Sequence, residues 1–174
     1  MPALFYDSAI EIIMNDTRST TDYGMLKRQL SALLDTRDWV TNTSQMTAFI
    51  FQQIPDLNWA GFYIQREERV LRLGPFQGQP ACNPIGFEEG VCGAAARTRQ
   101  TQRVEDVHAF PGHIACDAAS RSELVIPLIS HDRLWGVLDL DSPLAGRFAS
   151  EDQEGIEALC QVLIEQTDLF EPIG

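Results

Sequence analysis

Positive charge is scarce in this sequence: 13 lysines and arginines stand against 25 aspartates and glutamates, a formal net charge of −12 at pH 7. So acidic a surface repels phosphate backbones and anionic headgroups, and no basic stripe offsets it, which excludes nucleic acid and membrane surfaces as natural partners. Long hydrophobic runs are missing as well. No stretch approaches the ~18 apolar residues that a membrane span requires. Residues 1–16 contain apolar side chains, but acidic residues interrupt them and no basic segment precedes them, unlike a secretory signal. A cytosolic protein is expected, in which thiols stay reduced and no structural disulfide framework forms. Internal repeats, low-complexity tracts and linkers are absent. So are a Walker loop, a dinucleotide fingerprint and a His-Glu-x-x-His zinc signature, and no cofactor is implied.

What is present suits one soluble domain. The chain has 174 residues, 44% hydrophobic and 22% charged, values of an ordinary globular protein. A chain of this length buries roughly 70% of its unfolded surface and needs no disulfide or metal staple.

Hydrophobic periodicity places the elements. In residues 24–35, Leu26, Leu30, Leu33 and Leu34 make one apolar helical stripe. A second helix is expected from near Trp39 to Gln53, stopping before Pro55 because the residue before proline disfavours the helical region. Residues 58–65 read as a strand with Trp59, Gly61 and Tyr63 on one face. Residues 70–73 pair with it through a charged turn at 66–69. Residues 74–90 hold four glycines and three prolines, the composition of a long loop, and such loops are often functional. A short helix starts at residues 90–92 and runs through the alanines 94–96. Residues 102–104 make a short strand, and 108–122 a second loop. Residues 124–129 and 133–140 form an antiparallel pair turning at 130–132. A last helix begins at Ser150, with Gln153 as its capping-box partner and Ile156, Leu159, Cys160, Leu163 and Ile164 as its buried stripe. Together these predict an α+β domain: a central, mainly antiparallel sheet of about six strands, flanked by helices, with a pocket on one face.

Four cysteines need explaining. Cys160 sits in an apolar helical stripe, where a free cysteine packs as a small hydrophobe. Cys82, Cys92 and Cys116 lie in or beside loops. Cys92, in Gly90-Val-Cys-Gly93, is placed at a helix start, which lowers a thiol pKa; the alternative is a small residue at a tight turn. Cys116 precedes Asp117, whose charge opposes thiolate formation, whereas His113 assists it. The residues alone do not decide which thiol leads. Zinc competes for these residues, but structural zinc sites present paired ligands, and the His113–Cys116 spacing has no matching second pair.

The strand ending in Asp139 and Asp141 carries the second oddity. Alternation puts Trp135, Val137, Asp139 and Asp141 on one face. Two carboxylates so placed form either a solvated strand end or a pocket wall that attracts an ammonium group. Their mutual repulsion raises one carboxyl pKa and leaves it able to act as an acid, with Glu123 on the neighbouring strand able to join them. Trp59 and Tyr63 suit core packing or an aromatic wall for an apolar group.

Several segments are familiar: Asn58-Trp-Ala-Gly-Phe-Tyr63, Leu73-Gly-Pro-Phe-Gln-Gly78, Gly90-Val-Cys-Gly93, His113-Ile-Ala-Cys-Asp-Ala-Ala-Ser120, Ser122-Glu123, Gly136-Val-Leu-Asp-Leu-Asp-Ser142 and Gly146-Arg-Phe148. In this order they resemble the free methionine-(R)-sulfoxide reductases, over roughly residues 26–164. That resemblance implies a GAF fold enclosing a pocket for the free amino acid. It implies Cys116 as nucleophile, with Cys82 and Cys92 as resolving partners. Trp59 and Tyr63 contact the substrate side chain, while Glu123, Asp139 and Asp141 hold its ammonium group and assist protonation of the sulfoxide. A homodimer follows from the same source; thioredoxin is the reductant expected in the cytosol, and the chemistry needs no metal. Two departures stand out: Glu88 and Glu89 where relatives carry a basic residue before the glycine, and residues 1–23 as an N-terminal extension without a counterpart, ahead of a catalytic domain over 24–174. A GAF small-molecule sensor, its cysteines switching without turnover, is the alternative function.

Overall fold

The computed structural model describes residues 21–113 and 118–170. Two helices open the chain. α1 (Tyr23–Leu33) is capped by Asp22, whose carboxylate accepts the Met25 N–H. α2 (Trp39–Gln53) is capped by Asp38 through the Thr41 N–H, and ends two residues before Pro55. Six strands follow: β1 (Trp59–Glu67), β2 (Val70–Gly78), β3 (Ile85–Gly86), β4 (Gln102–Val104), β5 (Ser122–Ser130) and β6 (Arg133–Ser142). α3 (Gly90–Thr98) lies between β3 and β4, and α4 (Ser150–Gln166) closes the fold. The strands form one sheet in the order β3-β2-β1-β6-β5-β4, each pair antiparallel. The predicted architecture is therefore observed.

The two sheet faces bury different cores. Ala60, Phe62 and Ile64 of β1, Leu124, Ile126 and Leu128 of β5 and Leu138 and Leu140 of β6 pack under α1, α2 and α4, where Leu30, Met46, Ile50, Ile156, Leu159, Cys160 and Leu163 meet them. Cys160 is thus a core residue, as its stripe indicated. The opposite face carries Trp59, Tyr63, Val125 and Val137 against α3 and β3, a smaller core of which Val91, Cys92 and Ala95 are part. Alternation along β1 directs Trp59 and Tyr63 to this second face, as expected.

Three sequence expectations need correction. Residues 74–78 are not loop but the second half of β2. Pro75 is tolerated because it falls where two β2 residues oppose one on β1, between the pairs Gly61–Phe76 and Tyr63–Leu73, and a bulge needs no proline N–H. Beyond Leu71 the far edge of β2 has no strand partner in the sheet, which removes the second demand for a donor. Trp135 does not share a face with Val137 and Asp139. A bulge between the pairs Leu128–Gly136 and Ile129–Leu134 turns it into the helical core, edge-on to Trp39 at 5.7 Å and Phe62 at 6.0 Å. Finally, the cap partner of α4 is Asp152, whose Oδ2 accepts the Ala149 N–H at 2.9 Å; Gln153 instead bonds Glu157 across the next turn.

Asp152 has further partners. Its Oδ1 accepts the Tyr23 hydroxyl at 2.6 Å and its Oδ2 accepts Arg147 Nη1 at 3.0 Å. Tyr23, the last residue of the expected extension, is therefore tied into the domain as the first residue of α1. Residues 1–20 lie outside the described ones.

Candidate active site

Strand register assembles the site. On the face under α3, one row across three strands reads Trp59, Asp141, Glu123, because Trp59 pairs with Asp141 and Asp141 with Glu123. The next row reads Gly61, Asp139, Val125. Two carboxylates two residues apart on β6 thus meet a third from β5 and an aromatic wall from β1. A cavity of about 560 Å³, mouth included, opens over these rows. Among its walls are Trp59, Tyr63, Gln79, Ile85, Glu89, Cys92, His113, Ser120, Glu123, Asp139 and Asp141.

The apolar side is a stack of rings. Trp59 lies 5.7 Å from Tyr63 at 26° and 5.5 Å from Phe76 at 16°. Gly61 makes the stack feasible, since a Cβ there would come within 2.5 Å of both Phe76 Cβ and the indole. The ring heteroatoms are satisfied by the β2–β3 connection. Trp59 Nε1 donates to the Gln79 carbonyl and the Tyr63 hydroxyl to the Cys82 carbonyl, each at 3.0 Å. Burial first, then the neighbouring Asp139 charge, pushes the Tyr63 hydroxyl well up, so it stays a neutral donor. These bonds fix the Cys82 backbone against the aromatic wall. Phe76 went unnoticed in the sequence because residues 74–78 read as loop.

The polar side is buried and acidic. Glu123 is 7% exposed and Asp139 6%. Cys92 Sγ donates to Asp139 Oδ2 at 3.3 Å, and one ligand atom each of Cys92, Glu123 and Asp139 lie within 4.8 Å of one another. Among the described residues, Asp139 Oδ1 is buried without a hydrogen-bond partner. Desolvation is the largest influence on all three groups: it lifts Asp139 to about 6 and Glu123 well above the usual carboxylate range. The charge of Asp139 raises Glu123 further, as like charges in one site must.

Cys92 departs from expectation. It occupies the first turn of α3, yet burial, reinforced by Asp139 and Glu123, pushes its thiol well above the ordinary value. A helix end supplies about half a positive charge, and two adjacent buried carboxylates outweigh it. Cys92 is a protonated donor rather than a thiolate.

The remaining cysteines divide plainly. Cys82 is in a disulfide, whereas Cys92 and Cys160 are free. Cys116 and Asp117 lie outside the described residues. His113, at the edge of that segment, borders the cavity; burial and then the His108 charge lower its pKa. Glu88 is drawn away by ion pairs with Arg69 and with Arg97, the latter at 3.0 Å. Glu89 accepts the Gly86 N–H at 2.6 Å. Both carboxylates are thus locally compensated. No lysine or arginine is among the described residues lining the cavity, which therefore favours a cationic group beside an apolar one.

Comparison with known proteins accords with this geometry. The profile of the GAF domain family matches residues 7–164. The free methionine-R-sulfoxide reductase (fRMsr) of Escherichia coli is 46% identical over 141 residues, 80% of this chain and 85% of the relative. The free methionine-R-sulfoxide reductase of Saccharomyces cerevisiae is 45% identical over 133 residues, 72% of this chain and 74% of the relative. The structure of the fRMsr of Staphylococcus aureus in complex with substrate superimposes with a TM-score of 0.80 at 44% identity, covering 84% of this chain and 95% of that one.

Proposed function

This chain belongs to the free methionine-R-sulfoxide reductases of the GAF domain family, and from that premise we propose how it reduces free methionine-R-sulfoxide in the acidic, aromatic-walled pocket. The observation that carries the reading is the register row Trp59–Asp141–Glu123 beside buried Asp139. It sets a flat apolar surface next to carboxyl groups, the complement of a thioether methyl and an ammonium group in one small molecule.

Asp141, together with Asp139 and Glu123, receives the substrate ammonium, and Trp59 and Tyr63 flank its methyl end. Cys116 is the nucleophile. Its thiolate attacks the sulfoxide sulfur while a buried carboxyl, held protonated by desolvation, protonates the oxygen. The oxygen transfers to Cys116 as a sulfenic acid and methionine leaves. The Cys82 thiol then condenses with the sulfenic acid, releasing water and forming the disulfide, and an external dithiol reduces it by exchange. Thioredoxin is the dithiol we assign, as the natural reductant of the cytosol, and a homodimer the assembly, on the family resemblance. The disulfide state of Cys82 supports its part as resolving residue, and the hydrogen bond from Cys92 to Asp139 supports a supporting part for Cys92.

The test is methionine release by the reduced protein, offered each epimer of free methionine sulfoxide and a peptide-bound sulfoxide. Turnover of the free (R) epimer alone, abolished by Cys116→Ser, is the expected result. Binding without product under reducing conditions would refute it and leave a sensor. Undiminished turnover in Cys116→Ser would remove the nucleophile assignment.

A further inference from the structure

The buried cluster that lines the substrate pocket carries a second chemistry beside the reduction. Cys92 comes from α3, Glu123 from β5 and Asp139 from β6, and all three side chains are buried. One sulfur and two carboxylate oxygens within 4.8 Å of one another are spaced as ligands of a single ion, given metal–ligand bonds of about 2.0–2.3 Å. Asp139 Oδ1 is a buried oxygen with no donor among the described residues. The nearby Glu123 carboxyl can satisfy it only by carrying a proton. A cation satisfies it as well, and satisfies the other two groups at once.

We propose that Cys92, Glu123 and Asp139 bind one borderline-soft divalent cation, Zn²⁺ in particular, which reversibly blocks the pocket. The donor set selects the metal. Thiolate with carboxylate oxygen suits Zn²⁺ and Cd²⁺, whereas Mg²⁺ and Ca²⁺ demand six or more oxygens, and two carboxylates leave them underserved. The cavity over the cluster leaves the fourth tetrahedral position open to water. Binding forms one metal–sulfur and two metal–oxygen bonds and releases to solvent the thiol proton and any proton on the carboxyl pair, with no change of oxidation state. Because β5, β6 and α3 are already held by the two apolar cores, the ion is an inhibitor and not a folding staple. Its binding does not depend on the reductase reading; only its competition with substrate does.

The experiment uses the full chain in its disulfide form, so that Cys82 is withdrawn from metal binding. Without reductant, CdCl₂ is titrated against the ultraviolet sulfur-to-metal charge-transfer band, and ZnCl₂ uptake is measured by equilibrium dialysis. Expected are one ion per chain and a band that Cys92→Ser abolishes. Zinc affinity in that variant falls by at least the roughly 10–100-fold that even loss of an outer-shell partner costs. Cys160→Ala keeps both signals. Asp139→Asn weakens zinc similarly, and where that variant does not fold by circular dichroism, Cys92→Ser decides. No band in the unaltered protein, or a band that survives Cys92→Ser, overturns the site. Turnover of methionine sulfoxide is scored separately: turnover without the band sinks the cation site alone, and the band without turnover sinks the reductase reading alone.

Discussion

Replacing Gly61 by alanine tests the aromatic wall with one methyl group. The new Cβ would lie 2.5 Å from Phe76 Cβ and 2.5 Å from the Trp59 ring. Ordinary carbon contacts lie at about 3.5–4.0 Å, so roughly 1 Å must be found. Phe76 Cβ cannot yield, because it is fixed to the β2 backbone opposite Gly61. The β1 and β2 backbones must therefore part locally, and the indole must move as well, which strains its bond to the Gln79 carbonyl and its stacks on Tyr63 and Phe76. Overpacking of this kind costs about 1–3 kcal/mol. At about 2–4 °C per kcal/mol for a domain of this size, Tm falls by roughly 2–12 °C. On the proposed reading the indole flanks the substrate but carries no reacting atom, so KM should rise on the order of tenfold, about 1.4 kcal/mol, with kcat less affected. Thermal unfolding by circular dichroism and steady-state kinetics read the two effects. A Gly61→Ala protein that melts within about 1 °C of the parent and retains its KM would refute the claim that a rigid ring stack forms the substrate wall.

Three further outcomes follow from the same structure. Asp139 is lifted by burial from the ordinary 3.8 to about 6, so the fold binds its proton more tightly than the unfolded chain does. Its ionisation therefore costs stability as pH rises from about 4 to about 6. Urea unfolding of the parent and Asp139→Asn across this window should show the parent losing ground by up to about 1.4 kcal/mol per pH unit, and a flat difference would contradict the assigned shift. Cys160→Ala, in the helical core, should cost about 1 kcal/mol by loss of a small apolar group and leave turnover intact; a large loss of activity would place Cys160 in the chemistry. Asp152→Ala removes the α4 cap and the partners of Tyr23 and Arg147, for about 2–4 kcal/mol in chemical denaturation, whereas a loss under about 0.5 kcal/mol would show that the network is idle.

Periodicity made most of this architecture legible. The leucine stripe of α1, the alternation of β1 and the paired carboxylates of β6 each follow from residues a few positions apart, where local geometry alone decides the face. Two of the errors share one cause, which is that a bulge shifts the alternation of a strand. Trp135 read as a neighbour of Asp139 because period two was carried through Gly136. The structure breaks the period there, and a Cβ at Gly136 would sit 2.2 Å from the Tyr63 carbonyl, so the close approach needs glycine. Pro75 made residues 74–78 look like loop for the same reason, since only the bulge on β2 admits it.

Cys92 marks a different boundary between sequence and structure. Its position at a helix start was legible, and the inference to a thiolate was sound for an isolated helix. What reverses it comes from two other elements: Glu123 on β5 and Asp139 on β6 reach the same buried point only after the sheet has formed. An acidic pocket that binds an ammonium group must keep its carboxyls close and dry, and any thiol at its floor is then held protonated. The features that suit this cavity to an ammonium group therefore make Cys92 a poor attacking group. They leave at Cys92 the soft ligand that a zinc ion would seek.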